Sequence, residues 1–146
     1  YHLINFRTEQ FQQSKAMIGI DYDSFMILNV MASHYIKNNT KMGKHWDDVW
    51  ENIRKSKIEE FYSSRKLTIF AVASILNLPK ETVRRKIELL KKKKLINHSS
   101  KLGLLPTNKS EEIMKPFATN ELKSLSKFLQ SLKKNKSLDE ILNLKD

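Results

Sequence analysis

A mainly α-helical fold carrying one small β-hairpin is what this sequence predicts. Three observations predict it. Glycine and proline are scarce, three of each in 146 residues, which disfavours turn-rich β architectures. Apolar residues recur at helical spacing along most of the chain. The exception follows residue 94, where the short apolar pairs Leu95-Ile96 and Leu104-Leu105 flank a Ser/Lys/Gly turn.

Residues 1–20 lack a clean period. Phe6, Phe11, Met17, Ile18 and Ile20 would pack as an arm or a short helix. Asp21 and Asp23 then offer N-cap acceptors for a helix over residues 24–38. Its apolar face is Phe25, Leu28, Met31, Ala32, Tyr35 and Ile36, widened by Met26, Ile27 and Val30. A face that broad is buried in a core or a dimer interface. Over residues 44–54 Trp46, Val49, Trp50 and Ile53 form an i, i+3, i+4, i+7 set, with Asp47 and Asp48 in the first turn. The period then slips. Ser56 and Glu59 have capping-box spacing for a further helix that turns Ile58, Phe61 and Tyr62 inward.

Thr68 can cap a short helix over residues 69–76, and Asn77 can end it in the left-handed conformation. Leu78 and Pro79 make a tight turn; Pro79 offers no side-chain cap to the helix that opens at Lys80 and runs to about residue 93. Val83, Ile87 and Leu90 form the stripe of that helix. Residues 95–98 and 104–107 read as two strands joined by a turn over 99–103. Two helices follow, over 110–115 and 120–134, separated at Pro116. Leu122, Leu125, Phe128, Leu129 and Leu132 share one side of the second, and Ser137 with Glu140 repeats the capping-box spacing for a last helix.

A short helix, a turn of about three residues, a longer basic helix and a hairpin, in that order, make a winged helix-turn-helix. Ala73 provides a small residue four positions before the turn residue Asn77, and Val83 an apolar one six positions after it. Ala71, Ile75, Val83, Ile87 and Leu90 would close a small three-helix core, with Leu78 beneath the turn. The expected organisation is residues 1–62 for packing and dimerisation, 63–107 for the winged core, and 108–146 for C-terminal helices.

The stretch AVASILNLPKETVRRKIELLKKKKLI resembles the winged helix-turn-helix of bacterial transcription regulators. Its KETVRR segment is similar to the recognition helices of the cyclic-AMP receptor/FNR and GntR families. The resemblance covers residues 68–107 and implies double-stranded DNA as the partner. It assigns Lys80, Glu81 and Arg85 to base edges in the major groove and Thr82 to a phosphate. The chemistry agrees, since Arg pairs with guanine O6 and N7 and Glu accepts from cytosine N4. Arg84 and Lys91 point elsewhere on the helix and suit phosphates, and Lys101 stands at the tip of the wing. Nothing upstream resembles a cyclic-nucleotide jelly roll.

Composition fits that partner. Lys and Arg total 27 against 16 Asp and Glu, a formal charge of +11. Such an excess suits nucleic acid, or less often an acidic membrane surface. Only five of the 27 are Arg, a lysine bias that an AT-rich genome also produces. The absence of Cys excludes disulfides and thiol nucleophiles. No apolar run approaches the roughly 18 residues of a membrane span. The opening residues lack a signal-peptide pattern, so a cytoplasmic setting is expected; a first residue of Tyr1 leaves room for an upstream segment. His34, His45, Asp47 and Asp48 would meet at a metal only through a chance alignment of two helices, so no metal and no cofactor are expected. Paired carboxylates, a Ser-His-Asp set and a glycine-rich phosphate loop are all missing, and the expectation is a non-enzyme. A homodimer is expected, because a lone winged helix reads one half-site. Two other readings stay open: a replication-initiation or nucleoid-type DNA binder of low specificity, and a winged helix that binds an acidic protein.

Overall fold

The computed structural model describes residues 1–39 and 66–144. Over these the chain is mainly helical with one two-stranded antiparallel sheet. In order come α1 (His2–Ile18), α2 (Tyr22–Asn39), α3 (Ile69–Leu76), α4 (Lys80–Lys92), β1 (Ile96–Ser99), β2 (Gly103–Pro106), α5 (Asn108–Lys134) and α6 (Ser137–Leu142). The helices expected around Trp46 and Trp50 and after Ser56 lie outside the described residues, as do His45, Asp47 and Asp48. Two compact units emerge: a central one, Asp23–Glu111, and a terminal one that joins Tyr1–Tyr22 to Glu112–Asp146.

In the central unit the broad face of α2 is buried as its spacing predicts. Phe25, Leu28, Met31 and Tyr35 are buried, and Ile27, expected only at the margin, is fully enclosed. Burial, followed by the charge of Glu111, raises the Tyr35 phenol above its usual range.

Local chemistry delimits α3. The Thr68 hydroxyl accepts from the Ala71 N–H at 3.1 Å, satisfying one of the free donors of the first turn. At the other end Asn77 adopts φ 51°, the Leu78 N–H reaches the Ala73 carbonyl at 3.0 Å, and the Asn77 N–H reaches Ser74 at 3.3 Å. That pair of bonds is a Schellman closure, and it turns the chain into α4 within three residues. Val83, Ile87 and Leu90 of α4 are fully buried, each contributing roughly 1.5–3 kcal/mol.

The α3 contribution to this core differs from the expected one. Val72 and Ala73 are buried, whereas Ala71 is only half-buried and Ile75 is 63% exposed. Capping at Thr68 and the approach of α4 at Ala73 set the inward face at residues 72, 73 and 76, leaving Ile75 to solvent. Leu78 is half-buried.

A second Schellman closure ends α4. Lys94 takes φ 60°, its N–H donates to Lys91 at 2.8 Å, and the Leu95 N–H donates to Leu90 at 3.0 Å. Leu95 is thereby used in closing the helix, so β1 starts at Ile96, one residue later than its sequence suggests. The hairpin pairs Ile96 with Pro106 and Ser99 with Gly103. Gly103 has φ 79°, and a Cβ there would stand 2.5 Å from the Leu67 carbonyl oxygen. Only glycine admits that approach, which allows the Leu104 N–H to donate to the same oxygen at 3.0 Å.

The terminal unit corrects three local expectations. α1 is a full helix of 17 residues, longer than the arm or short helix expected. Its inward stripe is mostly polar and aromatic and turns aliphatic only at Ile18, so no apolar period announces it. α5 is one helix through Pro116, where a break was expected. Proline removes one N–H and crowds the preceding turn, at a cost of about 3 kcal/mol. Phe117, the next residue, is fully buried, and that burial contributes roughly 1.5–3 kcal/mol against the cost. Finally, Ser137 does not cap α6: Lys136 occupies the N-cap place at φ 58° with no side-chain cap, and the Ser137 hydroxyl donates to the Asn135 carbonyl at 3.3 Å.

Antiparallel α1 and the C-terminal half of α5 meet along a mostly polar seam. Asn135 Nδ2 lies 3.1 Å from His2 Nε2, and Phe6 stacks on Phe128 with centroids 5.1 Å apart. Gln10 donates to Glu121 at 3.1 Å, and Gln13 to Ser124 at 3.1 Å.

Candidate nucleic-acid interface

The faces of α4 differ sharply. One is the buried Val83–Ile87–Leu90 stripe. The other is charged, with Lys80, Glu81, Arg84 and Arg85 all exposed in its first turn and a half. Pro79 leaves that helix start without a side-chain cap, so its N–H groups have no acceptor from the N-cap residue.

Within this face the side chains are not equivalent. Glu81 and Arg84 form a two-pronged pair, Nε to Oε2 at 2.9 Å and Nη2 to Oε1 at 2.7 Å. The hydrogen bonds from Arg84 hold the Glu81 carboxyl below its usual range. The pair lies in solvent, with side chains 56% and 62% exposed, so it orients rather than stabilises. Lys91 is likewise tied to Glu88, at 3.0 and 3.2 Å to its two oxygens. Lys80 and Lys101 have no carboxylate partner among the described residues, and Arg85 touches Glu81 only through its charge, which adds to the lowering of that carboxyl. Thr82 is half-buried on the flank of the helix.

Lys101 sits in the exposed turn between β1 and β2. Two cations that local sequence reading overlooks join the set. Lys66 donates through Nζ to the carbonyl of Ser100, in the hairpin turn. Lys109 donates to the carbonyl of Lys93 at 3.0 Å, beside the exposed Lys92 and Lys94. Neither carries a local signal, since the contacts span 34 and 16 residues. Thr107 fixes the second of these. Its hydroxyl donates to the Lys94 carbonyl at 2.7 Å and accepts from the Ser110 N–H at 3.1 Å, so one side chain joins the end of α4 to the start of α5.

The central unit therefore carries three cationic loci: the start of α4, its end, and the hairpin turn. A polyanion with regularly spaced charge suits such an array. Among the described residues no three His, Cys, Asp or Glu side chains gather as metal ligands, and no helix is long and apolar enough to cross a membrane. No protein-family model, no curated protein and no solved structure matches the chain.

Proposed function

We propose that this protein binds double-stranded DNA as a winged helix-turn-helix transcription regulator, with α4 as the recognition helix and the β1–β2 hairpin as the wing. One observation carries the reading: α4 buries Val83, Ile87 and Leu90 completely while its first turn and a half stands in solvent bearing Lys80, Glu81, Arg84 and Arg85. A helix fixed on one side and charged on the other is what groove entry requires. In this reading Lys80 and Arg85 reach base edges, Arg85 pairing with guanine. Thr82, Arg84, Lys91 and Lys101 meet phosphates. Glu81 accepts from cytosine once Arg84 turns from it to a phosphate. No bond is made or broken, and no cofactor takes part.

The Glu81–Arg84 pair favours a second reading as well. If it stays closed on DNA, Glu81 reads nothing, and the protein is a binder of low sequence specificity, of the replication-initiation or nucleoid type.

Fluorescence anisotropy separates these. We expect a log–log salt slope of several units. On a specific site Arg85→Ala should cost about 1–3 kcal/mol, with relaxed preference at one base pair. Binding without preference between a selected site and random duplex selects the second reading. Absence of binding at low salt rejects DNA altogether and turns the basic face toward an acidic protein.

A further inference from the structure

The terminal unit buries Ile18, Phe117 and Leu132, fills its seam with polar groups, and leaves a further row of aliphatic side chains in water. Gln10, Gln13, Glu121 and Ser124 lie between α1 and α5. By contrast Leu122, Leu125 and Leu129 of α5 remain 47%, 37% and 41% exposed. With Leu138 of α6 they line an open groove of about 300 Å³, and Lys133 stands at its edge. The leucines follow i, i+3, i+7 spacing, that of a helix–helix seam. Past the groove, α6 and the residues after it carry Ile141, Leu142 and Leu144, exposed by 45%, 72% and 76%.

Charge distinguishes the two patches. The groove is lined on α5 by one cation, the exposed Lys133. The apolar end of α6 is flanked by Asp139 and Glu140, both exposed. One chain thus holds a leucine groove with a basic border and an aliphatic projection with an acidic border. We propose that the two are halves of one self-complementary interface. The projection of each copy, Ile141 with Leu142 and Leu144, covers the Leu122–Leu125–Leu129 groove of a second copy, and Asp139 and Glu140 face its Lys133. Such reciprocity is the signature of a two-fold contact.

The area agrees with a dimer of modest affinity. Six aliphatic side chains per copy, 37–76% exposed, would with the lysine stems remove on the order of 1,000 Å² in two copies, the lower limit of specific interfaces. The surface lies in the terminal unit, and its test uses no DNA.

Sedimentation velocity on the full chain, from about 1 to 100 μM, should show a reversible monomer–dimer equilibrium. Leu125→Glu/Leu129→Glu should be monomeric. Leu142→Asp should weaken association at least about tenfold. Because Leu142 is largely exposed, this variant decides the matter if the double leucine variant loses helicity by circular dichroism. Asp139→Lys/Glu140→Lys should also weaken the dimer, and adding Lys133→Glu should restore part of the loss. A wild-type chain that stays monomeric throughout overturns the proposal. So does a dimer indifferent to Leu142→Asp, or a charge reversal that Lys133→Glu fails to rescue in any part.

Discussion

The central and terminal units solve the same problem by opposite means. Around α3 and α4, side chains with no exposed surface do the work: Val72, Val83, Ile87 and Leu90. Neighbours in sequence supply the caps, Thr68 at one end and the Asn77 and Lys94 turns at the others. Along α1 and α5, by contrast, residues more than 100 positions apart meet through amides, a carboxylate and a hydroxyl. An apolar core resists deformation, because any void forfeits contacts on every side. A polar seam contributes less per contact, since each bond replaces one that water would make. The proposed DNA binding draws on the first, a charged helix held by a packed core, and the proposed dimer on the second, where leucines stay exposed.

Substitutions can break this comparison, beginning with the core. Ile87→Ala should cost about 2–5 kcal/mol, read by chemical denaturation, since the cavity would form at the centre of α4. A loss below 1 kcal/mol would mean that α4 is not anchored as its burial implies. Gly103→Ala combines φ 79° with a Cβ placed 2.5 Å from the Leu67 carbonyl, and should cost about 1–3 kcal/mol. Hydrogen exchange at the Leu104 amide should accelerate in that variant, because its acceptor is Leu67.

The polar seam should respond more weakly. Ser124→Ala removes one of the two acceptors of Gln13, Glu9 being the other, and should cost about 0.5–1.5 kcal/mol, measured by thermal melting. A loss as large as that of Ile87→Ala would erase the distinction between the two units. The smallest effect is a pH dependence. Burial raises the Glu121 carboxyl above its usual range, against the hydrogen bond from Gln10 that lowers it. A raised carboxyl favours the folded state most below the ordinary glutamate range, and that contribution is lost as pH rises through its folded value. Glu121→Gln should therefore flatten the stability profile between acid and neutral pH and give a slight gain at neutrality.

The legible part of the fold was the part built from near neighbours. Thr68, Asn77 and Pro79 act where their side chains and dihedral preferences indicate, and the Val83–Ile87–Leu90 stripe follows from a period of 3.6. The charged face of α4 was legible for the same reason, as the complement of that stripe. What was missed depends on distant chain. The partition of α3 between Val72 and Ile75 is settled by where α4 crosses it. The closed Glu81–Arg84 pair is an i, i+3 contact that the spacing allows, yet groove chemistry drew attention to each residue separately. Lys66 and Lys109 join the basic surface only because the chain returns to the hairpin and to the end of α4.

Sequence alone determined the helical class, the helix–turn–helix–hairpin order and the excess of positive charge, since each rests on composition or on residues within a few positions. Tertiary structure alone decided that the two ends of the chain form one unit and that α5 continues through Pro116. The physical reason is the same for both. A polar stripe such as Gln10, Gln13 and Ser124 has no hydrophobic period to announce it, and a proline inside a helix carries a cost that burial of a neighbour, here Phe117, offsets.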